Sequence, residues 1–278
     1  MKPEIRSHPV HGRILWISDG TVDVAGALDF GVRIVHLSVA GKENLLYVQP
    51  ADLSDGLATP EGWRIHGGHR FWGAPESERS YYPDNDPVEY EELPNGFMLK
   101  QKTDPWTQTE KTLTVTLTGN GSVEVVHTLT YVGEEELTAA AWGVTTLRGG
   151  GSACFPFPRC ESGSEYQVNR TLALWGATSL ADQRLSFSGD EIRAKHDGSS
   201  AYFKLGIYNA RGCIRMENLG QELRIGFAVH PLEAYAADRG CNAELFMDPN
   251  VMELETLGVT KTLKKGEGVS HTEYWKVS

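Results

Sequence analysis

Lys111-Thr-Leu-Thr-Val-Thr-Leu-Thr-Gly-Asn-Gly-Ser-Val-Glu-Val-Val-His-Thr-Leu-Thr-Tyr131 is the stretch that decides the fold class. Leu113, Val115 and Leu117 alternate with Thr112, Thr114, Thr116 and Thr118, a period of two that gathers the apolar side chains on one face of a strand. Gly119-Asn120-Gly121 then supplies residues that tolerate the positive φ of a tight hairpin, and Val123 and Val125 resume the apolar face. The segment reads as a hairpin with one buried side.

Outward from this hairpin the same grammar recurs. Leu223, Ile225, Phe227 and Val229 alternate with Arg224, Gly226, Ala228 and His230. In Val251-Met-Glu-Leu-Glu-Thr-Leu257 the carboxylates Glu253 and Glu255 share one face, and Met252, Leu254 and Thr256 share the other. A polar turn at Leu263-Lys-Lys-Gly-Glu267 leads to a last strand, His271 to Val277. Thirty glycines and thirteen prolines cut the remainder into strand-length pieces. Only Gly133 to Val144, with three acidic residues and three alanines, has the composition of a helix. With no helix to cross between parallel strands, the expectation is an all-β, large antiparallel sandwich forming one domain over residues 1–278.

A net charge of −11 repels a phosphate backbone, which argues against nucleic acid and anionic membranes as partners. No run approaches the roughly 20 apolar residues of a membrane span, and Met1 to Arg13 lacks the apolar core of an export signal. A cytoplasmic location is expected. The cysteines Cys154, Cys160, Cys213 and Cys241 form no C-x-x-C pair and read as reduced thiols. Phosphate loops and Gly-x-Ser-x-Gly elbows are missing, so nucleotide and serine-hydrolase chemistry is not indicated.

Chemistry concentrates in Gly62 to Asp86, where Arg64, His66, His69, Arg70, Trp72, Glu76, Asp84 and Asp86 surround the pair Gly67-Gly68. Aromatic faces beside arginine, histidine and carboxylates suit sugar recognition, and paired glycines let backbone approach a ligand closely. His66-x-x-His69 lacks a third ligand in reach, so no metal and no organic cofactor is expected. Arg64, Arg70, Arg148, Arg159, Arg170 and Lys204 form an electropositive set that could hold a carboxylate or phosphate on a sugar.

Several of these segments together resemble the galactose mutarotase-like (aldose 1-epimerase) superfamily. They are Met252-Glu-Leu-Glu-Thr-Leu-Gly258, Leu263-Lys-Lys-Gly-Glu-Gly268 and His271-Thr-Glu-Tyr-Trp275, joined by His66-Gly-Gly-His-Arg-Phe-Trp-Gly-Ala-Pro-Glu76. Val168-Asn-Arg170 before Trp175, Asp182, Lys204-Leu-Gly206 and Asp238-Arg-Gly240 before Glu244 extend the likeness over nearly the whole chain. The resemblance implies a β-supersandwich with a sugar site on its concave face. It also implies that Glu255 is the general base taking the anomeric proton and that Arg70 holds sugar hydroxyls.

The family's general acid, a mid-chain histidine, has no counterpart near Ala139 to Thr146. His66, His69, His230 and His271 are the substitutes, with His69 favoured because it adjoins Arg70. The expected site is therefore Glu255 and His69 as catalytic pair, with His66, Arg70, Trp72, Glu76, Asp84, Arg170, Lys204, Glu253 and His271 around the sugar. Anomer exchange is the leading activity. A non-catalytic carbohydrate-binding protein, and an epimerase or lyase acting on an acidic sugar, are the alternatives.

Overall fold

The computed structural model describes residues 1–50, 61–157, 166, 170–199 and 201–278. Arg159, Cys160, Val168 and Asn169, used above, lie outside the described residues. Among those described, the chain forms two large antiparallel sheets. The first has eleven strands, running across the sheet as Glu4–His8, Gly12–Ser18, Val22–Ala27, Arg33–Val39, Gly68–Ala74, Leu137–Arg148, Val251–Leu257, Ala243–Met247, Phe203–Ile207 and Leu172–Leu174, with Lys261–Leu263 also pairing to Leu137–Arg148. The second has ten, in the order Leu185–Phe187, Glu191–Lys195, Ser152–Pro156, Cys213–Asn218, Gln221–Phe227, Gly268–Val277, Ser122–Tyr131, Thr109–Gly119, Gly96–Lys100 and Glu89–Leu93.

The expected hairpin is present as Thr109–Gly119 and Ser122–Tyr131, in which buried and partly exposed residues alternate. Its turn places Asn120 at φ 53° and Gly121 at φ 74°, the left-handed region that asparagine and glycine accept most readily. Leu113, Val115, Val123, Val125 and Leu129 from this sheet pack on Ile17, Ile34, Leu37, Phe71 and Leu254 from the other. Each such aliphatic side chain removed from water contributes about 1.5–3 kcal/mol, and that burial holds the sheets face to face.

Gly133 to Val144 is not a helix. Leu137–Arg148 is a strand hydrogen-bonded on both sides, to Gly68–Ala74 and to Val251–Leu257. Ala139, Ala140 and Ala141 are buried at the centre of the sheet. Alanine's helical preference over other residues, at most about 0.7 kcal/mol each, is small beside two full ladders and burial on both faces. Both faces are covered because aromatic residues pack on the outside as well. Trp63, Trp72, Trp142, Val144 and Leu257 form a second apolar cluster there.

Gly67-Gly68 has a role other than the expected one. Both lie at positive φ, and a Cβ on Gly67 would sit 2.0 Å from the Tyr47 carbonyl oxygen, one on Gly68 2.3 Å from that of Ile34. The close approach is of protein backbone to protein backbone. Arg33 ties the same segment down: its Nη1 donates to the carbonyls of Ile65 and Gly67, while Nη2 meets Asp84 Oδ2 at 2.8 Å.

Candidate active site

Three adjacent central strands supply the floor of a cavity on the outer face of the first sheet. Side chains alternate along a strand, so Arg70 and Trp72 from Gly68–Ala74, Trp142 and Val144 from Leu137–Arg148, and Glu253 and Glu255 from Val251–Leu257 all point outward together. Register brings them level: Val144 pairs with Arg70 on one side and with Glu255 on the other. The walls come from connecting segments, chiefly Trp63, Glu76, Tyr81, Trp175 and Tyr202. The cavity measures about 310 Å³, the scale of a small-molecule site.

Two ion-pair systems occupy this floor. Lys204 Nζ lies 3.0 Å from Glu255 Oε2, 3.0 Å from Glu244 Oε2 and 3.9 Å from Glu76 Oε2. Its ammonium also sits over the rings of Trp142 and Trp175, 4.7 and 5.1 Å from their centroids. Arg70 Nη1 donates to Glu253 Oε1 at 2.9 Å and to Thr146 Oγ1 at 2.8 Å, with its guanidinium 4.6 Å from the Trp72 centroid. Tyr81 donates its hydroxyl hydrogen to Glu76 Oε1.

Burial and these partners set the carboxylates apart. Burial raises the Glu255 pKa, against the pull of Lys204 and with help from neighbouring Glu253. It raises that of Glu244 well above the ordinary range, again against Lys204. Burial would raise Glu253 as well, but Arg70 and Thr146 outweigh it and hold this group below the usual value. Burial works against the charge on Lys204, yet Glu255, Glu244 and Glu76 keep its ammonium protonated far above the usual lysine range. The floor thus combines a carboxyl that holds protons readily, a carboxylate that does not, and a fixed cation.

Of the residues expected from sequence, Arg70, Trp72, Glu76, Lys204, Glu253 and Glu255 line this cavity. His69 does not. It is the neighbour of Arg70 on one strand, so its side chain points to the opposite face, where it is fully buried between the sheets. His271 also faces that interior, with Nε2 2.7 Å from Thr256 Oγ1. His66 stacks on Phe30 and bonds Asn85, and Asp84 pairs with Arg33. Arg170 donates to the Gly189 carbonyl, and its guanidinium lies over Phe157. Of the described members of the electropositive set, only Arg70 and Lys204 reach the cavity, and Arg148 pairs with Glu43 at the surface.

The interior network was not foreseen. His127 Nδ1 donates to the His271 carbonyl, which leaves its Nε2 to accept from His69 Nε2–H at 2.6 Å, while His69 Nδ1 accepts from Thr145. Glu273 accepts from Thr256 Oγ1 at 2.5 Å and from Trp275 Nε1 at 2.6 Å. His69, His127 and Glu273 offer ligand atoms within 4.8 Å of one another. The 2.6 Å nitrogen separation is nonetheless that of a hydrogen bond. Two nitrogens on one zinc stand about 3.3 Å apart, given bonds of about 2.0 Å and tetrahedral angles.

No protein-family model matches the chain, and no curated protein sequence does. Solved structures do. A provisionally assigned aldose 1-epimerase from Escherichia coli K12 superposes with a TM-score of 0.61 at 13% identity, over 95% of this chain and 98% of that one. The galactose 1-epimerase of Lactobacillus acidophilus NCFM gives 0.54 at 8% identity, over 99% and 98%. The chain has the galactose mutarotase-like fold. A TPR-domain containing protein from Parabacteroides distasonis gives 0.62 at 13% identity over 96% of this chain, which spans only 47% of that longer one. Within the galactose mutarotase-like fold found here, Glu255 and Glu253 stand on a central strand of the first sheet, facing the cavity.

Trp63, Tyr81, Trp142, Thr146, Trp175 and Glu244 complete the site and were not assigned from sequence. Trp142 and Thr146 were hidden by the helix-like composition of their strand. Glu244 had a signal, since Cys241 to Met247 alternates just as its partner strand does. Pairing with Glu255 could be read only from the sheet.

Proposed function

We propose that the chain is a carbohydrate-processing enzyme of the mutarotase type, acting in this aromatic-walled cavity. The observation that carries the reading is the 3.0 Å pairing of Glu255 with Lys204 on a floor flanked by indole rings. Glu255 removes the proton from the anomeric hydroxyl, a proton reaches the ring oxygen from solvent, and the Lys204 ammonium, held charged by its carboxylates, donates a hydrogen bond to that oxygen as the C1–O5 bond breaks and the aldehyde forms. Rotation about C1–C2 and the reverse transfers close the other anomer. Glu244, 3.0 Å from the same ammonium, holds it in place. Lys204 thereby stands at the ring oxygen, the place expected of His69.

A second reading, a non-catalytic carbohydrate-binding protein, is favoured by one observation: no histidine is among the described residues that line the cavity. Magnetisation-transfer NMR of anomer exchange across an aldose panel separates the two. The enzyme reading expects exchange above the spontaneous rate and a fall of roughly 10²–10⁴ in Glu255→Gln. Saturable binding without accelerated exchange on any aldose gives the binding reading instead.

A further inference from the structure

Among the described residues, the charges in this cavity do not balance. Glu76, Glu253 and Glu255 line it and Glu244 meets Lys204 from the adjoining strand, against two cations, Arg70 and Lys204. Counting Glu244 as neutral still leaves three carboxylates to two cations. Both cations are engaged, Arg70 by Glu253 at 2.9 Å and Lys204 by Glu255 and Glu244 at 3.0 Å each. A phosphate or uronate would bring further negative charge against carboxylates that already hold both cations, which is costly.

Positive groups fare differently. The cavity already holds two organic cations against indole faces, Lys204 over Trp142 and Trp175 and Arg70 over Trp72. Glu76 is the carboxylate that a ligand meets first, its side chain 36% exposed against 8% for Glu253 and 2% for Glu255. Its neighbours are the Tyr81 hydroxyl and, at 3.9 Å, Lys204, so it keeps capacity for another donor.

We propose that the sugar taken by this cavity is an amino sugar whose protonated amine docks on Glu76 beside Tyr81, and that phosphorylated and uronic sugars are excluded. The proposal rests on the carbohydrate reading above. Binding is measured at pH 6 and low salt by calorimetry and saturation-transfer NMR. The probes are glucosamine, glucose, N-acetylglucosamine, glucose 6-phosphate and glucuronate, with the corresponding galactose series.

The amino sugar binds about two- to fivefold tighter than its neutral parent, as one added charge pair near a surface allows. The N-acetyl sugar, which has lost the charge, shows no such gain, and the anionic sugars bind at least about tenfold more weakly than the neutral one. Glu76→Gln brings the ratio of amino to neutral sugar towards one. In the unaltered protein, raising the pH until the sugar amine loses its proton does the same. Anionic sugars binding as well as neutral ones, or an amino sugar with no advantage over its parent, overturns the proposal while the carbohydrate reading stands. Binding of none of the probes defeats both.

Discussion

Glu273 Oε2 lies 4.0 Å from His69 Nε2, so a carboxyl and an imidazole, both fully buried, face one another between the sheets. Burial raises Glu273 to about pKa 7 and depresses His127 to about 4 and His271 to about 3. The two kinds of group pull stability in opposite directions.

For Glu273 the folded pKa lies above the unfolded value, so its contribution is fully present below about pH 4.5 and is lost as pH rises through 7. The loss by pH 8 is on the order of 3 kcal/mol for a shift of this size. For the histidines the folded pKa lies below the unfolded 6.5, so their contribution is present above 6.5 and lost as pH falls towards 4 and 3. Glu273→Gln should therefore gain stability relative to the unaltered protein between pH 5 and pH 8 in denaturant titrations. A difference that does not change with pH removes Glu273 from the account.

Lys204→Met removes the cation that, among the described residues, faces both Glu255 and Glu244. It should cost about 3–5 kcal/mol, because two buried carboxyls lose their partner. Adding Glu255→Gln to this variant should recover part of the loss. Strict additivity in a double-mutant cycle followed by chemical denaturation would mean that the pair does not interact.

Gly67→Ala places a methyl group 2.0 Å from the Tyr47 carbonyl oxygen at a backbone φ of 88°. Together the clash and the strained φ should cost about 2–4 kcal/mol. The thermal midpoint should drop, while ligand affinity at low temperature stays as it was. Weaker ligand binding with unchanged stability would return this glycine to the role expected from sequence.

How far the sequence could be read follows from how local each signal is. The Thr109–Gly119 hairpin and the shared face of Glu253 and Glu255 depend on a period of two within one segment, and both are present. His69 turns away from the cavity for the same reason that Arg70 faces it: on a strand, neighbours in sequence are on opposite faces, and a segment read as a loop conceals that parity. The alanine strand 139–141 needed knowledge of what lay on either side of it. Glu244 and Thr146 enter the site through cross-strand register with Glu255 and Glu253, and Trp142 through register with Trp72, which no single segment contains.

The cavity draws its floor from neighbouring strands and its walls from connecting segments. Glu253 and Glu255 are therefore anchored to a ladder that tolerates little change, whereas Glu76, Tyr81, Trp175 and Tyr202 sit on stretches free to vary in length and composition. Descendants of such a scaffold can exchange one ligand for another by grafting rims and leave the floor in place. A library confined to those wall segments would sample ligand preference without spending its diversity on variants that cannot fold.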